Sequence, residues 1–243
     1  ENLQIASLQG GVSINARLGE TYGVIQGTDY IYKNGKRVVG EDGYYLRTST
    51  SDIVLGSIIP DWNAGFINRF SYKDWSMSFQ IDFQKGGSVY SLDMAYGLST
   101  GLYPETDYIN DLGYPVRNSL ENGGGIILDG VKADGTPNDV RISADDTYAW
   151  GDNNYPSKEF VYDASYIKLR EVVISYRLPE RLMAKTFIRG ASLSLVGSNL
   201  WIIHKDLPYA DPESSQSSGN IQGWQSGVMP STRNIGLTVT LNF

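Results

Sequence analysis

Apolar and polar residues alternate without a break at the end of the chain. Ile235, Leu237, Val239, Leu241 and Phe243 take every second place, with Asn234, Gly236, Thr238, Thr240 and Asn242 between them. A period of two puts each set on its own face of a β-strand. Residues 75–84 repeat the pattern, with Met77, Phe79, Ile81 and Phe83 set against Ser76, Ser78, Gln80, Asp82 and Gln84. Residues 64–72 also alternate, Phe66, Asn68 and Phe70 against Ile67, Arg69 and Ser71. Only Lys73 and Asp74 separate these two runs, which predicts a tight hairpin. In 165–178 the phase slips near Arg170–Glu171. Ile167 and Leu169 share one parity and Val172, Ile174, Tyr176 and Leu178 the other, and a β-bulge reconciles them. With 189–203 and a weaker run at 2–13, the pattern predicts six long strands: 2–13, 64–72, 75–92, 165–178, 189–203 and 232–243.

Long polar stretches separate the strands, at 14–63, roughly 94–163, and 204–231, rich in Gly, Asn, Asp, Ser and Pro. Connections of that length signal function or disorder. The first holds Asn34–Gly35 between extended runs, a strong hairpin signal. Short turns at Lys73–Asp74 and Leu178–Phe187 thus fall on one side and long loops on the other. Transmembrane β-barrels have this asymmetry. A soluble sandwich with one wet face alternates in the same way and stands as the alternative. In a barrel, Ile235, Leu237, Val239, Leu241 and Phe243 face lipid and the intervening residues face the lumen. Tyr72, Trp75 and Tyr176 then lie near the membrane interface that such aromatics favour. A closed barrel pairs its last strand with its first. Six strands fall short of the roughly eight at which bacterial barrels begin, which predicts the C-terminal part of a larger barrel.

Composition narrows the chemistry. The net charge of −7 argues against a nucleic-acid partner, and no polybasic run suits an anionic membrane surface. The chain has no cysteine, which removes disulfides, thiolate metal sites and cysteine nucleophiles. No apolar run approaches the ~18 residues of a spanning helix, which leaves a barrel open. His204 stands alone, and no nucleophile elbow, P-loop or paired-histidine motif accompanies it. No enzymatic activity is expected. Asp145, Asp146 and Asp152 lack the spacing of a calcium loop, so no metal or other cofactor is expected. The long loops carry Tyr103, Tyr108, Tyr148, Trp150, Tyr155, Tyr209 and Trp224. Flat apolar rings with polar edges suit sugars, peptides or a protein partner. Packing of the loops on one another, or on a partner, is their other use.

Four internal stretches and the closing NIGLTVTLNF carry a resemblance in their order. They are residues 58–94 (IIPDWNAGFINRFSYKDWSMSFQIDFQKGGSVYSLDM), 123–139 (GGGIILDGVKADGTPND), 162–179 (YDASYIKLREVVISYRLP) and 192–213 (SLSLVGSNLWIIHKDLPYADPE). The chain resembles the SusC/RagA family of TonB-linked outer-membrane transporters from Bacteroidetes-type bacteria. That resemblance implies an all-β fold, an antiparallel transmembrane β-barrel of about 22 strands filled by a plug. Residues 1–243 would be the C-terminal part of the barrel, without the plug and the earlier strands. It further implies a SusD-like surface lipoprotein as partner and lid, and coupling to the TonB complex through the missing N-terminal part. Oligosaccharides (glycans) or peptides would be imported across the bacterial outer membrane. Long loops would be extracellular, and short turns and the C-terminus periplasmic. The barrel-assembly machinery would read the last strand through Phe243, supported by Leu241 and Val239. The alternative function is a soluble or surface β-module that binds glycan without transport.

Overall fold

The computed structural model describes residues 1–144, 150–151, 154–214, 219 and 221–243. They form two units. The first comprises 1–59, 87–163 and 215–228, the second 60–86, 164–214 and 229–243.

In the first unit, β1 (Asn2–Leu8), β2 (Val12–Arg17), β3 (Val24–Gly27) and β6 (Ile53–Ser57) make a four-stranded antiparallel sheet in that order. The run 2–13 is therefore not a sixth strand of the long sheet. Gly10 and Gly11, at φ 91° and 70°, fold it into a hairpin, and Val12 and Ile14 enter this unit's interior. The expected Asn34–Gly35 turn is present between β4 (Tyr32–Lys33) and β5 (Lys36–Arg37), both turn residues having positive φ. Further pairings join β10 (Ile126–Ile127) to β11 (Arg141–Ile142). Another small sheet has β9 (Ser88–Ser91) between β12 (Val161–Asp163) and β15 (Trp224–Gln225), the last parallel to it. Helix α1 (Leu92–Ser99) follows β9, and the Ser91 hydroxyl caps it by accepting from the Met94 amide at 3.1 Å. Two apolar clusters form the interior. One gathers Tyr30, Val39, Val116, Ala144 and Trp150, the other Ile25, Tyr90, Leu92, Ala95 and Phe160. Much of the long polar stretches of the sequence is thus folded around its own cores.

The second unit is one antiparallel sheet. Its strands are β7 (Pro60–Tyr72), β8 (Trp75–Gly86), β13 (Tyr166–Arg177), β14 (Gly190–Lys205) and β16 (Asn234–Asn242), in the order β16-β14-β13-β8-β7. Lys73, at φ 53°, and Asp74 make the expected two-residue turn between Tyr72 and Trp75. β8 stops at Gly86 rather than near 92, because Gly86 and Gly87 both adopt positive φ and end the extended run. The bulge is where the phase slip predicted it. Arg170 is the unmatched residue between Leu169, opposite Ile81, and Glu171, opposite Gln80. Leu169 and Ile174 consequently pair with Ile81 and Met77, two residues of equal parity, and lie on one face.

Register then sorts the two faces. Phe70, Met77, Ile174, Leu195 and Leu237 align across all five strands, and all five are exposed. The next row on the opposite face is Ser71, Ser76, Ser175, Ser194 and Thr238, with the Ser175 and Ser194 hydroxyls 2.7 Å apart. Tyr72, Trp75 and Tyr176 gather at the turn end, the last two with ring centroids 4.7 Å apart.

Candidate functional site

The aromatic candidates of the first unit divide by burial. Trp150 belongs to its core at 7% exposure, under the guanidinium of Arg117 at 5.5 Å, and its carbonyl accepts from the Ser99 hydroxyl. Tyr155 is half-buried between the two clusters, tilted on Tyr45 at 5.5 Å and edge-on to Phe160 at 6.3 Å. Burial pushes its phenol up, as do the nearby Tyr45 and Glu159. Trp224 packs on the second cluster, and its buried Nε1 has no hydrogen-bond partner among the described residues. Tyr103 is half-buried against the same cluster, its ring against Gly97, where a side chain would collide with it. Tyr148 lies outside the described residues, as do Asp145, Asp146 and Asp152.

Tyr108 is different, 45% exposed at the base of a built arm. Asn110 organises that arm. Its amide donates to the carbonyls of Gly123 and Gly125, at 2.8 and 3.1 Å, and its Oδ1 accepts from the amides of Leu112 and Tyr114. Arg141 holds the arm's tip through both carboxylate oxygens of Asp111, at 2.7 and 2.5 Å. The arm presents Ile109, Leu112 and Tyr114 to solvent near Tyr108 in the chain. A second brace in this unit joins Tyr30, Arg37 and Glu159. The Tyr30 hydroxyl and Arg37 both donate to Glu159 Oε2, at 2.7 and 2.9 Å, and Arg37 lies 4.0 Å over the Tyr30 ring.

In the second unit, Tyr209 is 53% exposed on the segment 206–214, with φ 53°. Left-handed backbone is uncommon for a bulky residue, so its surroundings must hold it there. The segment is fastened to the polar face of the sheet by a charge network that sequence reasoning missed. Lys168, only 4% exposed, donates to Asp211 and Glu213. Arg170, the bulge residue, donates to Asp82 at 2.6 Å and to Glu213. The Tyr166 hydroxyl donates to Glu213 at 2.7 Å, and Ser231 donates to Asp211 at 2.9 Å. Half-burial pushes the Glu213 carboxyl up, but the hydrogen bonds from Arg170, Lys168 and Tyr166 outweigh it and hold it at about 2. The available signal was the bulge itself. It marks a strand bent to aim a side chain, here the cation Arg170 between Leu169 and Glu171.

His204 is exposed, 3.5 Å from Asp206. Val239, Leu241 and Phe243 lie along the exposed apolar face, and Phe243 stacks on Phe187 at 5.5 Å and 15°. Six of the seven aromatic candidates lie among the described residues. Tyr108 and Tyr209 are exposed in different units, while Tyr103, Trp150, Tyr155 and Trp224 serve packing to differing degrees.

No protein-family model matches the chain. TonB-dependent receptor P26 of Formosa agariphila is 30% identical over 228 residues, which cover 90% of this chain and 20% of that receptor. TonB-dependent receptor P3 of the same organism is 26% identical over 202 residues, 80% of this chain and 18% of that receptor. The fold matches the RagAB peptide importer in its open-open state with a TM-score of 0.59, and in its closed-closed state with 0.56, at 18% identity. Those matches cover 99% and 98% of this chain and 24% of the other chains. This chain belongs to the TonB-dependent receptors.

It spans about a fifth of the length of the curated relatives it matches. TonB-dependent receptors are outer-membrane proteins, and no helix among the described residues is long and apolar enough to cross a membrane.

Proposed function

We propose that this chain is part of the wall and loops of an outer-membrane importer, with residues 1–243 forming the C-terminal portion of its β-barrel. The observation that carries this reading is the five-stranded sheet with one face apolar and exposed and the other hydroxyl-bearing. A soluble sandwich would cover the apolar face with a second layer. The whole receptor takes up nutrient, an oligosaccharide or a peptide, coupled to the TonB complex and working with a SusD-like surface lipoprotein. No bond in the substrate is made or broken. The long loops face outward, and Tyr103, Tyr108 and Tyr209 meet substrate or the lipoprotein. The short turns and C-terminus are periplasmic. Val239, Leu241 and Phe243 are read by the barrel-assembly machinery.

The test is extraction and uptake of the full receptor. It is expected to stay in the membrane through alkaline carbonate and to come out in detergent. Growth on the transported nutrient is expected to stop when TonB is deleted. Release by carbonate without detergent would sink the membrane reading and return the glycan-binding soluble module. Deleting Phe243 should lower insertion while synthesis stays unchanged, and normal insertion would remove its signal role.

A further inference from the structure

The polar face of the five-stranded sheet changes character toward the Lys73–Asp74 turn. Three rows lie there. One runs Arg69, Ser78, Val173, Val196 and Gly236, the next is the hydroxyl row from Ser71 to Thr238, and the last holds Arg177, Ser192 and Thr240. Their charged side chains are Arg69 and Arg177, both cationic. Neither has an ion pair or a side-chain hydrogen bond among the described residues. Lys168 and Arg170, farther along the same face, hold three carboxylates between them. The contrast is sharper because acids outnumber bases in the chain, 27 to 20.

Arg69 and Arg177 stand two strands and four residues apart, roughly 16 Å between backbones by strand spacing and rise. Yet both line one hollow of about 340 Å³, with the hydroxyls of Ser71, Ser76, Ser78 and Ser175 between them. An adjoining hollow of about 360 Å³ adds Lys73 and Asp74, which balance each other in charge. A guanidinium presents a planar fork that matches a carboxylate, and such charge-assisted bonds are among the stronger ones. Serine hydroxyls add neutral donors without side-chain bulk.

We propose that the hollow lined by Arg69 and Arg177 is a carboxylate-binding site on the polar face of the sheet. The carboxylate is supplied either by the remainder of the receptor chain or by an acidic solute, and the chemistry of recognition is the same for both. Each guanidinium takes a carboxylate oxygen pair, and the hydroxyls between donate to whatever the fork leaves open.

The test replaces each fork with an amine that can be trapped. Full-length receptor carrying Arg69→Lys or Arg177→Lys is treated in outer-membrane vesicles with a water-soluble carbodiimide, which joins an amine to a touching carboxylate as an amide with loss of water. Cross-linked peptides are read by mass spectrometry. One arm contains the receptor alone and a second adds oligoglutamate or an oligo-uronate. Arg69→Gln and Arg177→Gln are blanks, and the Lys132–Asp139 pair, 2.5 Å apart, reports that the reagent works and the chain is folded. A new amide from position 69 or 177 in the first arm names the receptor's own chain as the source. One seen only in the second arm names a soluble acid. If neither position is joined to a carboxylate in either arm while Lys132 and Asp139 are, the proposal is overturned. The import reading would stand, because it rests on extraction and uptake.

Discussion

The two units of this chain handle apolar surface in opposite ways. The first hides it. Tyr90, Phe160 and Val116 are fully buried, and polar loops are drawn around them by backbone hydrogen bonds and side-chain caps. The second displays it. From Phe70 to Leu237 an apolar row crosses five strands uncovered, while serines and charged residues occupy the other face. Hydrophobic residues inside is a rule about water as solvent. A sheet that breaks it coherently, on one face only, is what the proposed lipid setting rests on. The two units differ in whether the period-two pattern finds a partner layer.

The largest break in this contrast should come from the hidden side. Phe160→Ala removes a ring set edge-on to Tyr90 and Tyr155, and should cost about 3–5 kcal/mol. Limited proteolysis of the loops in the intact receptor would read it, while Phe70→Ala on the displayed face should leave the cleavage pattern alone. Equal sensitivity at both sites would erase the distinction.

Next comes the network on the polar face. Lys168→Met removes the ammonium that Asp211 and Glu213 share and should cost roughly 3 kcal/mol, near the low end for breaking a buried pair because Glu213 keeps Arg170 and some water contact. Lys168→Arg should restore most of it, as read by urea unfolding in detergent. No recovery with arginine would mean that packing of the lysine stem, not its charge, was lost.

A third comparison tests the faces directly. Leu237→Arg should reduce folded yield more than Thr238→Arg, by about 2–4 kcal/mol at the bilayer midplane and less toward either surface. Matching yields would refute the assignment of Leu237 to lipid.

The smallest effect concerns pH. Glu213 is held at about 2, below its ordinary 4.5, so the folded state favours its charged form. Its contribution is complete above about 4.5 and is lost as pH falls toward 2. Hydrogen exchange in 206–214, corrected for intrinsic rates, should rise across that interval. Glu213→Gln should flatten the rise, and an unchanged profile in that variant would assign the transition to another group.

Sequence by itself determined the local elements, because their causes are local. Alternation in 64–72, 75–84 and 234–243 specifies strands with two distinct faces. Asn34–Gly35 closes a hairpin through residues tolerant of positive φ, the two-residue Lys73–Asp74 gap between alternating runs marks another, and a slipped phase at Arg170 announces a bulge. Tertiary structure alone decided where the weak run 2–13 belongs, since a glycine pair and two buried side chains outweighed its alternation. It also decided which loop aromatics are core and which are presented. Trp150 and Tyr108 look alike as loop residues and differ only in what closes over them. The clamp on Glu213 was beyond reach for the same reason. Lys168 meets its carboxylates across 43 and 45 residues of chain, and no period in a sequence measures that distance.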